Sequence, residues 1–511
     1  TPPPTRTSGR ARQPPPRFGD YVTGEELENL ALHCDALLAD GLPRDADVAL
    51  EDSNWKVAMD KEYQSLEDNG VWELVPAPKD KGIISGKWHF AHKLDNMGNV
   101  VKFKARFVAR GFTQTPGIDF HETYSPTAKL STLRTVVACG VKLGMLFHQM
   151  DIKTAYLNAP IHEDFFMQQP QGYVKGDGLV CKLKQSLYGL KQSGRNWFEC
   201  LTSHLKTLNF KPSVHDPCLQ TMTRKSHQCW VVIWVDDILS CSTDPTFDEW
   251  FKKRISQRFT IGETGPLTWF LGTSFNWDRG EVTISHQGYV RNFLRKHGMD
   301  QCKAASTPLA EKTELSKDQM PEDGSDTQKE MKGLDYRGIV GSIAYLSLTT
   351  RPDLAYATHL LARFLSNPGQ AHWQAAKHVL RYLQGTSDVC ITYRKGGDSG
   401  LTGYADADYA SCKDDRRSIT GFCFNLGSGA ISWAARRQTC VATSTTEAEV
   451  HAVSEATKEA VHLQGILEAL SMKGNTTIYT DSQSCQALAV KEDNSAKTVS
   501  YTHLTLPTME L

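Results

Sequence analysis

Two adjacent aspartates interrupt an otherwise apolar run, Cys229-Trp230-Val231-Val232-Ile233-Trp234-Val235-Asp236-Asp237-Ile238-Leu239-Ser240. The β-branched and aromatic flanks predict two short strands of a hairpin with the acids at its turn. Side-by-side carboxylates at the tip of a buried hairpin repel each other and lose solvation, and a cation between or beside them removes that cost. A metal site is the functional expectation; the plain alternative is that aspartate is common in turns.

A third acid decides between them. Asp151 lies in Leu146-Phe147-His148-Gln149-Met150-Asp151-Ile152-Lys153-Thr154-Ala155-Tyr156-Leu157-Asn158, which reads as a strand ending near the acid and running into a helix or turn. Phosphoryl transfer by two metal ions needs acids held this rigidly, so that the ions stand about 3.5–4 Å apart. One ion activates the attacking hydroxyl and both stabilise the crowded negative charge of the transition state.

Further segments accompany these: Trp55-Lys56-Val57-Ala58-Met59, Lys104-Ala105-Arg106-Phe107-Val108-Ala109-Arg110-Gly111-Phe112-Thr113-Gln114, Gly117-Ile118-Asp119-Phe120, Ser186-Leu187-Tyr188-Gly189-Leu190-Lys191-Gln192 and Thr350-Arg351-Pro352-Asp353. In this order, over nearly the whole chain, the sequence resembles the reverse transcriptase and RNase H part of the Pol polyprotein of Ty1/copia-type LTR retrotransposons. The resemblance implies an α/β (α+β) chain: the fingers and palm of a right-hand polymerase, a thumb or connection, then an RNase H-like domain. It implies an RNA-directed DNA polymerase that extends a DNA primer on an RNA or DNA template with deoxynucleoside triphosphates. Asp151 and Asp236 would be the principal metal ligands, with Asp237 a weaker ligand or a shaper of the local field. Tyr156 would exclude a ribose 2′ hydroxyl, where the alternative is core packing. Gln192 and Lys104 or Arg106 would contact the incoming nucleotide. Trp234 stands where many relatives carry tyrosine.

All of these ligands are carboxylates and the substrate carries phosphates, so Mg2+ is the expected ion, two per active site, with Mn2+ as a substitute. Other implied partners are RNA/DNA hybrids and the parent polyprotein with its protease and integrase. The implied setting is cytoplasmic, in virus-like particles, with nuclear entry of the parent element. No integrase acid triad or zinc-binding His/Cys set is present. Asp398-Ser399-Gly400 sits in a Gly-rich stretch and reads as a turn rather than a protease motif.

The formal net charge of −1 gives no bulk attraction to nucleic acid, so any such surface must be local. Lys93, Lys102, Lys104, Arg106 and Arg110 supply a candidate, on a two-stranded region whose turn is Asp95-Asn96-Met97-Gly98-Asn99. The 13 cysteines show no Cys-x-x-Cys pair, which suits free thiols in a reducing compartment without structural zinc. His215 and Cys218 read as packing residues. No apolar run is long enough to cross a membrane.

At 511 residues the chain is expected to hold two or three domains. Residues 1–50 read as a Pro/Arg-rich linker and lead-in, 51–300 as fingers and palm, and 301–335 as a polar linker. Residues 336–398 read as thumb or connection helices, 399–498 as a C-terminally truncated RNase H-like domain, and 499–511 as a tail foreign to the family, an artefact or frame change. The initial Thr suggests a piece of a longer protein.

The RNase H-like stretch carries three acids of its own. Asp406 ends a short strand, Glu447 opens a long amphipathic helix, and Asp481 follows the strand Thr477-Ile478-Tyr479-Thr480. Strand end, helix start and strand end let distant acids meet over one sheet edge, and by resemblance they would hold two metals that hydrolyse the RNA strand of a hybrid. Glu447 has a competing role, because Ser444-Thr445-Thr446-Glu447 fits a helix capping box. The neighbouring Asp408 would be structural or assist the site. RNase H sites usually carry a fourth acid near the C-terminus, and none stands in a suitable setting here. The rival readings are a catalytically inactive, element-derived nucleic-acid-binding protein and a stand-alone RNase H on a polymerase-like scaffold.

Overall fold

The computed structural model describes residues 42–94, 100–115, 117, 119–120, 122–396, 400–472 and 474–490. The Pro/Arg-rich stretch of residues 1–20, the turn at 95–99, Asp398 and Ser399, and the tail at 499–511 lie outside the described residues. The fold is mixed α/β, and its buried apolar side chains gather into three cores.

The first unit forms around helix α1 (Ser53–Asp68), which starts where the Asp52 side chain accepts the N–H groups of Asn54 and Trp55. Its apolar stripe, with Trp55, Met59 and Leu66, packs on an antiparallel hairpin of β1 (Gly86–Leu94) and β2 (Val100–Ala109). Trp55 meets Phe90 edge-on, ring centroids 5.2 Å apart. A small sheet of Trp72–Pro76, Leu179–Leu183, Phe166–Met167 and Ile83–Ile84 closes this core.

Helix α2 (Leu130–Leu143) leads into the central sheet. It ends at Gly144, whose φ of 68° is the left-handed cap that glycine adopts without strain. The sheet contains β3 (Leu146–Ile152), β4 (Leu219–Arg224), β5 (His227–Trp234), β6 (Asp237–Ser242) and β7 (Ile261–Pro266), in the order β7-β3-β6-β5-β4, with Lys211–Pro212 at the edge. Every residue from Cys229 to Trp234 is buried. Both faces of β5 are covered, which is why its sequence is an unbroken apolar run rather than an alternation. Helix α3 (Ser193–Thr207) supplies Trp197, Leu201 and Leu205 to the same core.

Helices α4 (Tyr336–Thr349), α5 (Ala355–Ala362) and α6 (Gln370–Gly385) form a separate helical core. The stretch 301–335, expected as a polar linker, is more ordered than that. It contains the helix Asp326–Lys332 and buries Leu315 and Met331 in the helical core. Polarity of sequence misled here because two apolar anchors suffice to seat a mostly polar segment.

The last unit is a four-stranded sheet, β10-β9-β8-β11, made of β8 (Leu401–Asp408), β9 (Ile419–Leu426), β10 (Gly429–Arg437) and β11 (Thr476–Tyr479). β8 and β11 run parallel, joined through the crossover helix α7 (Thr445–Ala469). This sheet has no core to itself. Phe422, Phe424, Val453 and Ile466 belong to one apolar cluster with Val136, Val137 and the central strands. Helix α2 accounts for the merger, since every residue from Ser131 to Val141 is buried and the helix packs on β10 and α7. Among the described residues no helix is long and apolar enough to cross a membrane.

Candidate active sites

The hairpin between β5 and β6 pairs Trp234 with Asp237, leaving Val235 and Asp236 as a two-residue turn with Val235 at φ 53°. β6 also pairs with β3, and that register sets Asp237 directly opposite Asp151. Three acids from two distant segments thus meet at one end of the central sheet. The turn is pinned through its backbone: Trp197 Nε1 donates to the Val235 carbonyl at 2.7 Å, and the Ile152 N–H donates to the Asp236 carbonyl at 2.9 Å. Such ties fix the backbone from which the hairpin carboxylates project.

Burial raises the Asp151 pKa, and the Asp236 charge raises it further. Lys104 and Arg106 on β2 pull it down, and Glu263 pushes it up. Glu263 was not visible as a site residue in the sequence. It sits in an irregularity of β7, between Ile261, which pairs with Ile152, and Thr264, which pairs with Met150. Only that register brings it near Asp151, and no local pattern announces it.

Lys104 has exposed surface, yet nearby protein partly desolvates its ammonium. Loss of solvation and then Arg106 lower its pKa, while Asp236 and Asp151 raise it. The Arg106 guanidinium lies 4.4 Å from the Tyr188 ring centroid, and Tyr188 meets Tyr156 edge-on at 4.6 Å. Tyr156 is therefore half-buried in an aromatic link between the β2 cations and the chain following Asp151.

Gln192 departs from the expectation of nucleotide contact. It is 2% exposed, its Oε1 accepts from Gln114 Nε2 at 3.0 Å, and its Nε2 donates to the Asp119 carbonyl at 3.3 Å. With both ends of the amide engaged, the side chain braces the loop that carries Tyr188 and does not face an open site.

At the second site, Asp406 on β8 and Asp481, just past β11, come together with Glu449 on α7. One carboxylate oxygen from each lies within 4.8 Å of the other two, the one such set among the described residues. The structure does not bring Glu447 to this cluster, which corrects the sequence expectation. Its carboxylate accepts the Thr443 N–H and hydroxyl, both at 2.7 Å, and its own N–H donates to Ser444 Oγ at 3.1 Å. These are helix-start bonds, and the two from Thr443 hold the carboxyl pKa below the ordinary glutamate value. The signal that separates the two glutamates was present. Glu449 lies on the stripe of Val453, Ala456, Ala460 and Leu463, all buried, whereas Glu447 lies on the stripe of His451 and Lys458.

Burial first, then the Asp406 charge, raises the Glu449 pKa to about 7. Its Oε2 is buried without a hydrogen-bond partner. An orphaned carboxylate oxygen among three converging acids fits a divalent cation, which would satisfy the oxygen and cancel the repulsion. Asp408 stays outside the cluster and accepts from Tyr356 Oη at 3.3 Å. A cavity of about 650 Å3 opens beside the acids, lined among others by Asp406, Asp481, Tyr404, Tyr479 and Tyr356.

Residues 69–311 match the model of the family described as reverse transcriptase (RNA-dependent DNA polymerase). The chain is 38% identical over 452 residues to the retrovirus-related Pol polyprotein from transposon TNT 1-94 of Nicotiana tabacum, covering 86% of this chain and 34% of that protein. It is 36% identical over 441 residues to the corresponding polyprotein from transposon RE1 of Arabidopsis thaliana, covering 86% of this chain and 30% of that protein. Among solved structures, the foamy viral protease-reverse transcriptase dRH in complex with ds DNA aligns at a TM-score of 0.48 and 13% identity, over 90% of this chain and 69% of that one. Residues 69–311 are thus a reverse transcriptase domain, and most of the chain is similar to retrotransposon Pol polyproteins of the copia type. The chain spans about a third of the length of these plant relatives. Asp151, Asp236 and Asp237 fall inside the matched segment, and Asp406, Glu449 and Asp481 beyond it.

Proposed function

We propose that this chain is an RNA-directed DNA polymerase, extending a DNA primer on an RNA or DNA template. The observation that carries the reading is the in-register placement of Asp237 opposite Asp151, with Asp236 in the adjoining turn. Asp151 and Asp236 are the principal ligands of divalent cations, Mg2+ by donor chemistry, and Asp237 shapes the field around them. When bound, two such ions sharpen the primer 3′ hydroxyl as a nucleophile and neutralise charge gathering on the phosphates. The 3′ oxygen bonds to the α-phosphorus of the deoxynucleoside triphosphate as the bond to pyrophosphate breaks. Lys104 and Arg106 bind the triphosphate, Arg106 as a two-pronged donor and Lys104 as a point charge. Tyr156, held by Tyr188, flanks the sugar.

The fingers and palm occupy residues 51–300, the connection helices 336–398, and an RNase H-like unit follows from residue 399. There Asp406, Glu449 and Asp481 hold cations and the adjacent cavity receives the RNA strand of an RNA/DNA hybrid. As part of a longer polyprotein with protease and integrase, the chain would work in cytoplasmic virus-like particles.

The test is primer extension on an RNA template with deoxynucleotides and Mg2+, comparing the chain with an Asp236→Asn, Asp237→Asn variant of equal thermal stability. Extension that disappears in the variant supports the polymerase. A folded parent that binds hybrid but does not extend would replace this reading with a binding-only protein.

A further inference from the structure

Gly262 lies in the irregular stretch of β7 that passes Asp151. A Cβ built on it would overlap Asp151 Oδ2, and would stand 3.1 Å from Cγ and 3.3 Å from the Asp151 carbonyl oxygen. Its φ is not among the positive values, so an L-residue could adopt the backbone. What glycine supplies at this position is space, and the space is filled by the carboxylate of an acid proposed above to bind cations.

We propose that Gly262 is a positioning residue of the polymerase site: its missing side chain is the seat in which the Asp151 carboxylate rests. The inference rests on the reading of Asp151 as a cation ligand and extends it to the residue that sets the ligand's direction. The strand cannot retreat easily, because the Lys153 N–H donates to the Thr260 carbonyl at 2.9 Å and Ile261 pairs with Ile152. The carboxylate can, since it is the free end of a short side chain with other staggered rotamers. Alanine at 262 therefore displaces the Asp151 carboxylate from this seat, and so from its ligand direction, while the fold stays intact. The same strand supplies a control: a Cβ on Gly265, opposite Gln149, meets nothing within 4 Å.

The experiment measures Mn2+ binding by electron paramagnetic resonance in an Asp406→Asn, Asp481→Asn background, which removes the second acid cluster. Parent, Gly262→Ala and Gly265→Ala are compared, with thermal unfolding recorded without metal. Orientation of a ligand by its surroundings typically affects metal affinity by about 10–100-fold. Gly262→Ala is expected to bind Mn2+ about tenfold more weakly at unchanged metal-free Tm, with Gly265→Ala like the parent. Equal Mn2+ affinity in the parent and Gly262→Ala would overturn the positioning role while leaving Asp151 as a ligand. A lower metal-free Tm in Gly262→Ala would show that the strand, not the carboxylate, gives way, and would overturn it too. A parent that binds no Mn2+ would remove both this inference and the metal reading beneath it.

Discussion

The guanidinium of Arg134 lies 3.9 Å from the ring centroid of Trp433. Its Nε donates to the Ile431 carbonyl at 2.8 Å, and Nη1 donates to the Leu348 and Thr349 carbonyls, both at 2.9 Å. One side chain on α2 thus holds the end of α4 and a strand of the C-terminal sheet. Trp433 completes the knot by donating Nε1 to the Ser347 carbonyl at 2.7 Å.

Burial lowers the Arg134 pKa to about 10, which leaves the group charged at neutral pH. Replacing it with methionine keeps the bulk but strands three carbonyls. Arg134→Met is expected to lower unfolding stability by about 3 kcal/mol in urea titrations. Arg134→Lys should recover only part of the loss, because a single ammonium cannot reproduce the planar fork. Since the central and C-terminal sheets share one apolar cluster, both should lose amide protection together in hydrogen exchange.

The two glutamates at the start of α7 should separate cleanly. In a parent that cleaves an RNA/DNA hybrid, Glu449→Gln should reduce cleavage by about a hundredfold or more, because the acid cluster loses a charged donor. Glu447→Gln should leave cleavage nearly unchanged and cost about 0.5–1 kcal/mol of stability through weaker capping. Parallel thermal melts and hybrid-cleavage assays on both variants check this.

Glu449 also predicts a pH dependence. Its folded pKa of about 7 lies above the ordinary 4.5, so the folded state holds a proton that the unfolded state releases. Stability contributed by this group is present at low pH and declines as pH rises from about 4.5 through 7. Without metal, the Tm of the parent should therefore fall over that window more than that of Glu449→Gln. Mg2+ should restore the parent at pH 8 and leave the variant less affected.

What the sequence disclosed follows from how local each feature is. The unbroken apolar run of β5, the turn at Asp236 and the short strand that carries Asp406 are short-range patterns that survive without tertiary knowledge. Gln192 and Glu263 could not be placed that way. A glutamine in a loop reads as available, and only the fold reveals that Gln114 and the Asp119 carbonyl occupy it. Glu263 needed the register of β7 on β3. The merger of two domain cores at α2 also escaped a linear reading. Its helix is buried all round, yet Ser131, Thr132, Arg134 and Thr135 look like a polar face until their partners are seen.

A last prediction concerns Glu62 on α1, which interacts electrostatically with Arg106 and Lys104. Burial raises its pKa, and Arg106, then the Phe107 backbone and then Lys104, counteract part of that rise. The Arg106 charge therefore serves two carboxylates, Glu62 and Asp151. Arg106→Ala should weaken triphosphate binding, seen as a higher KM, and should also leave Glu62 less compensated. The second effect makes the stability deficit, about 1 kcal/mol, larger at pH 8 than at pH 5. A carboxyl with a raised folded pKa loses its stabilising proton as pH increases. Adding Glu62→Gln should erase the pH-dependent part of the deficit without restoring KM. If the double variant recovered nucleotide affinity as well, Arg106 would act on the substrate only through the fold.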